Sequence, residues 1–102
     1  MTTIRDARSD HASFVRASKR LLTLLSEEAL AQLPGVRAVE VATPCGTYAG
    51  LLRPPIESVV AVSILRAGDA LLEAMRQLEP GLAVGKLLIQ RDETSPHKEA
   101  KV

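Results

Sequence analysis

A chain of 102 residues, 46% hydrophobic and 25% charged, has room for one domain and one modest core. Its formal charge of +1 offers no field for nucleic acid or an anionic membrane, and Phe14 and Tyr48, its only aromatics, make no stacking platform for single strands. The lone Cys45 has no internal disulfide partner, no apolar run approaches the ~18 residues of a membrane span, and the first residues lack a signal-peptide core, so a soluble cytoplasmic protein is expected. Residues 1–12 read as a polar lead-in, with Asp10 or Ser13 placed to cap a helix. From 13 to 32, Phe14, Ala17, Leu21, Leu24, Leu25 and Ala29 recur at steps of three and four, with Leu33 just beyond. This spacing predicts a helix with that stripe buried. Pro34 and Gly35 end it.

Residues 36–43 alternate as a strand, Thr43-Pro44-Cys45-Gly46 signals a turn, and 48–52 returns as a short second strand. Pro54 and Pro55 break the pattern, since neither donates to a ladder. Residues 59–65 form a nearly continuous β-branched run, the pattern of a strand buried on both faces. Arg66-Ala67-Gly68-Asp69 interrupts it. Ala70, Leu71, Ala74, Met75 and Leu78 then repeat as a helix, and 84–89 is a second apolar run. Strand, loop, helix and strand make a βαβ unit with a right-handed crossover and parallel strands. The fold class is α/β, with residues 13–89 as its body and 90–102, polar but for Ala100 and Val102, as a flexible arm.

Ligands of open parallel sheets collect beyond the carboxyl ends of the strands. Arg66 and Arg91 come just after the two apolar runs and stand at those points. Guanidinium forks match phosphate oxygens, and Gly68 at the start of a helix lets backbone N–H groups approach an anion. Arginines at strand ends also occur as plain surface residues, and spacing alone leaves both readings open. His11 and His97 lack partners at metal-ligand spacing, Cys45 without a neighbouring His reads as a small half-buried side chain, and Asp92-Glu93 is either an acid/base pair or solvated charge. Neither G-x-x-x-x-G-K nor G-x-G-x-x-G occurs.

The run Val62-Ser63-Ile64-Leu65-Arg66-Ala67-Gly68, with helix and strand after it and then Gln90-Arg91-Asp92-Glu93-Thr94, resembles uracil phosphoribosyltransferases, closest to the fungal and uridine-kinase-fused branch of that family. Arg5-Asp6, Glu27-Glu28-Ala29-Leu30, Leu33-Pro34 and the turn at 43–46 with Tyr48 and Gly50 agree in order. Cys45 replaces a common Thr, and the arginine motif has one Glu fewer than the usual R-D-E-E-T. The resemblance implies a partial phosphoribosyltransferase-type fold and an enzyme joining uracil to phosphoribosyl pyrophosphate, with UMP and pyrophosphate as products. By resemblance Arg66 and Arg91 contact the phosphoribosyl donor, Ala67 and Gly68 belong to the loop that holds pyrophosphate, and the arm begins near the active site.

No cofactor held by this chain is identifiable; the resemblance implies Mg2+ arriving with phosphoribosyl pyrophosphate in the intact enzyme. From charge and composition no nucleic-acid or membrane partner is expected, and a homo-oligomer is possible. The ribose-phosphate loop, an apolar strand and then Asp-x-x-x-Ala-Thr-Gly-Gly, is not among these residues, nor is the uracil-reading segment. The expectation is therefore an N-terminal half-enzyme, inactive alone. The alternatives are a non-catalytic dimerisation or phosphate-sensing remnant, and an unrelated small α/β binding module.

Overall fold

The computed structural model describes residues 1–91, 93 and 100–102. Helix α1 (Thr2–Arg5) and helix α2 (His11–Ala31) lead into the strands β1 (Arg37–Thr43) and β2 (Gly46–Leu52), which pair as an antiparallel hairpin. A 3-10 turn at Ile56–Ser58 then precedes β3 (Val60–Leu65), α3 (Gly68–Leu78) and β4 (Ala83–Leu88). β3 and β4 pair in parallel with Val60 opposite Ala83 and Leu65 opposite Leu88. The βαβ unit is thus present, and the fold is mixed α/β. β5 (Gln90–Arg91) pairs antiparallel with β6 (Ala100–Lys101), so the described ends of the expected arm meet as a short ladder.

The lead-in is more structured than its polarity suggested. α1 forms a full turn, Ser9 Oγ donates to Thr3 O at 2.6 Å, and Asp6 accepts from the Arg8 backbone N–H at 2.9 Å and from its guanidinium. Local side-chain bonds of this kind replace the apolar burial that the segment lacks. Of the two candidate caps, Asp10 serves: its Oδ1 accepts from Ser13 N at 2.9 Å.

The helix predicted over 13 to 32 exists, but the buried stripe does not hold the predicted residues. Ser26 and Leu30 are the buried positions of α2, with Val15, Ser18 and Leu22 half-buried in line with them. Phe14, Leu21, Leu24 and Leu25 are exposed, Leu24 at 69%. The stripe is displaced by about one position because α2 packs against α3, whose buried residues are Leu72 and Ala74. Small side chains permit close axes, and Ser26 meets its polar need within its own helix by donating to Leu22 O at 2.8 Å.

The strand at residues 59–65 also departs from expectation. It is covered on one face only: Ser63 is buried and Ala61 and Leu65 half-buried toward α3, whereas Val60, Val62 and Ile64 are more than half exposed. β4 is open on both faces: Leu87, beside Ile64, and Leu88, beside Leu65, are both exposed. Among the described residues, a two-stranded pair with a single helix beside it has nothing to lay over its second face. Cys45 is exposed rather than half-buried, because Pro44 and Cys45 are the two residues at the tip of the hairpin. There Gly46 takes φ +131°, and Thr43 Oγ1 donates to Gly46 O at 2.7 Å.

Stability and titration check these two helix features. Ser26→Leu overpacks the helix contact and lowers stability by about 1–3 kcal/mol, whereas Leu25→Ser stays within about 0.5 kcal/mol, both read from urea unfolding. Asp10 is held below the ordinary carboxyl value of 3.8 by hydrogen bonding from Ser13, first its side chain and then its N–H. A depressed folded value means the cap's contribution is present above 3.8 and is lost as pH falls through the lower folded value. An NMR pH titration of the Ser13 amide therefore has its midpoint below 3.8, and Asp10→Asn, which has no carboxyl to titrate, abolishes that transition.

Candidate functional site

β3 delivers its chain to the carboxyl edge of the parallel pair at Leu65, and the next residues, Arg66, Ala67 and Gly68, turn directly into α3. The Leu65–Arg66 peptide is cis. Asp69 N donates to Arg66 O at 3.1 Å, closing the turn. Ala67 is the N-cap and offers no side-chain acceptor, so the first amides of α3 have no side-chain cap at that position. An open cleft of about 620 Å³ runs along this edge, walled by β3 residues 61–65 and by Leu71, Leu72 and Met75 of α3, with the Arg66-Ala67-Gly68 loop at its end. Its walls are apolar apart from Ser63 and Arg66.

The geometry of the loop rests on a close approach. A Cβ built on Gly68 would lie 2.8 Å from Ser63 Oγ and 3.5 Å from Ser63 Cα, the first of these inside any normal contact. Ser63 is 4% exposed and donates its hydroxyl to Asp69 Oδ1 at 2.9 Å. Lys86 Nζ, on β4, stands 3.4 Å from the same carboxylate oxygen. The strand, the helix start and the neighbouring strand are therefore tied together immediately behind the loop.

Three of the four residues singled out by sequence come together here: Arg66, Ala67 and Gly68 all line the cleft. The fourth, Arg91, lies beyond the end of β4 in β5. It occupies the same edge of the parallel pair, since Leu65 and Leu88 are opposed, but it does not line the cleft. Asp92 and His97 lie outside the described residues. Among the described residues no three His, Cys, Asp or Glu side chains gather to hold a metal ion, and no helix is long and apolar enough to cross a membrane. Sequence reasoning missed Ser63, Asp69 and Lys86. The available signal was Ser63 itself, the single polar residue in an otherwise apolar run.

With this geometry in view, comparison with known proteins is decisive. Residues 1–101 match the Uracil phosphoribosyltransferase family. The chain belongs to that family. Uracil phosphoribosyltransferase 2 of Schizosaccharomyces pombe is 39% identical over 103 residues, covering 93% of this chain and 43% of its own length. The uracil phosphoribosyltransferase of Beutenbergia cavernae is 44% identical over 94 residues, with 91% of this chain and 43% of its own length covered. Among solved structures, a protein from Aquifex aeolicus superposes with a TM-score of 0.63 at 31% identity, covering 98% of this chain and 46% of that one. The chain thus spans less than half the length of these relatives.

Gly68→Ala tests the close approach. We expect it to lower stability by about 1–3 kcal/mol, the range for forcing an extra methyl into a filled space. Ser63→Ala in the same chain restores part of the loss, giving a favourable coupling in a double-mutant cycle read by urea unfolding.

Proposed function

We propose that this chain carries the pyrophosphate-holding part of a uracil phosphoribosyltransferase site. In the complete reaction a uracil ring nitrogen bonds to ribose C1 of phosphoribosyl pyrophosphate. The C1–oxygen bond breaks, pyrophosphate leaves with the electron pair, and the nitrogen gives up its proton. The group that accumulates charge is the departing pyrophosphate, so a fixed cationic and N–H-lined loop at that position favours the transition state.

The observation that carries the reading is the Arg66-Ala67-Gly68 turn at the carboxyl edge of a parallel strand, leading into a helix without a side-chain cap. Arg66 supplies a permanent charge in fork geometry, Gly68 lets the backbone come close, and the helix start favours an anion. Family membership supports pyrophosphate as that anion. Arg91 at the same edge supports a second contact to the phosphoribosyl donor. In this reading Arg91 approaches the donor from outside the cleft that Arg66 lines.

Mg2+, which the resemblance associates with the donor, finds no protein cage among the described residues. Asp69, the carboxylate at the loop, is engaged by Ser63 and Lys86. The described residues do not fit a protein-held ion, and no step is routed through one.

Arg66 is exposed, so its contact with an anion is screened by water and salt. At ~1 kcal/mol for each exposed ion contact, pyrophosphate affinity for this chain is expected near the millimolar range. Titrating pyrophosphate while following backbone amide shifts by NMR is expected to move Ala67, Gly68 and Asp69 in the wild type. Arg66→Ala removes most of the response, and added salt weakens it. Equal binding by both proteins places the anion elsewhere and overturns the reading.

A further inference from the structure

The hydrogen-bonded cluster behind the loop has a purpose that the anion contacts do not account for. Ser63 is buried in β3 and aims its hydroxyl at Asp69 rather than at the cleft's open end, at 2.9 Å. Asp69 is the first acidic residue of α3, one residue after the loop, and brings a negative charge to the place where an anion would sit. By charge alone it opposes that ligand, since like charges at short range repel. Lys86 at 3.4 Å from β4 offsets that charge and fixes the carboxylate from the other strand. The Ser63–Asp69 bond spans the loop, fastening the residue after Gly68 to the strand that precedes Arg66 by three positions.

We infer that Ser63 and Asp69, with Lys86 as counter-charge, are positioning residues that clasp the Arg66-Ala67-Gly68 turn in the shape that receives pyrophosphate. The inference rests on the reading of that turn as the pyrophosphate site. Neither Ser63 nor Asp69 touches the ligand; both act through the path of the backbone. Preorganised N–H groups bind without first ordering a loop, which is where the benefit of a clasp arises.

Charge and positioning predict opposite signs for Asp69→Ala, which makes the clasp testable. The 102-residue chain is titrated with sodium pyrophosphate under NMR, as wild type and as Ser63→Ala, Asp69→Ala and Asp69→Asn. Asn keeps an oxygen to accept from Ser63 but loses the charge, whereas Ala loses both. The clasp predicts that Ser63→Ala and Asp69→Ala weaken binding about 3–10-fold, the span for one ordinary hydrogen bond, while Asp69→Asn binds at least as tightly as wild type. If charge alone matters, both Asp69 variants bind tighter and Ser63→Ala is unchanged; either result overturns the inference. Helix content by circular dichroism is checked for each variant, and Asp69→Ala, at a side chain 42% exposed, stands in if Ser63→Ala unfolds.

A second readout separates this inference from the site reading on which it rests. In ligand-free protein, heteronuclear relaxation of the Ala67, Gly68 and Asp69 amides is expected to show added fast motion in Ser63→Ala and Asp69→Ala but not in Asp69→Asn. If the wild type shows no pyrophosphate response at the loop, the site reading fails, and this measurement alone judges the clasp. Unaltered relaxation in both alanine variants overturns it.

Discussion

Strand β3 and helix α3 are joined by a turn with almost no slack. The strand ends at Leu65, the helix begins at Gly68, and between them the backbone passes so near Ser63 that a methyl group on Gly68 would lie 2.8 Å from its hydroxyl. Everything at the functional edge depends on this approach. It sets where Arg66 leaves the strand, brings Asp69 within reach of Ser63, and aims the start of α3 at the cleft. A larger residue at 68 would separate helix from strand, and the amides and the guanidinium would no longer converge.

The rest of the chain supports that turn unevenly. α2 lies on α3 through Ser26 and Leu30, and Leu82 closes the far end of the βαβ unit, so the buried apolar residues surround one helix. Arg53, after the hairpin, pairs with Glu79 at the end of α3 and ties the long connection back to the same element. α3 is therefore both the wall of the cleft and the centre of the core. The opposite face of β3 and β4 presents Val60, Val62, Ile64 and Leu87 to solvent, a contiguous apolar surface of the kind that marks a contact face.

Much of this was legible from residues alone, and the failures share a cause. The hairpin turn at 43–46, the parallel pair and the loop Arg66-Ala67-Gly68 all arise from local signals: punctuation by Pro and Gly, β-branched runs and strand-end arginines. The inward face of α2 was not legible, because periodicity scores serine as polar while a helix contact selects it for size; Ser26 is fully buried and Leu24 is not. The burial of β3 was over-read for a related reason. An apolar run reports what a strand can bury, whereas actual burial depends on how many elements lie against it, and among the described residues α3 covers one face alone. The Ser63–Asp69–Lys86 cluster joins three elements, and no spacing rule brings residues 63, 69 and 86 together.

The hairpin leads to a different kind of consequence. Nearly every residue of β1 and β2 is exposed, with only Val39 and Gly50 half-buried, and the molecule is long, 64 × 36 × 20 Å, with a radius of gyration of 19.1 Å. A compact chain of this length has a radius near ~13 Å. Two strands without a packed face are marginal in water. With so little packed against it, the hairpin is expected to open and exchange its amide protons before α2, α3 and β3 do. Unfolding of this chain is therefore expected to begin at the hairpin, with the part that carries the loop opening later.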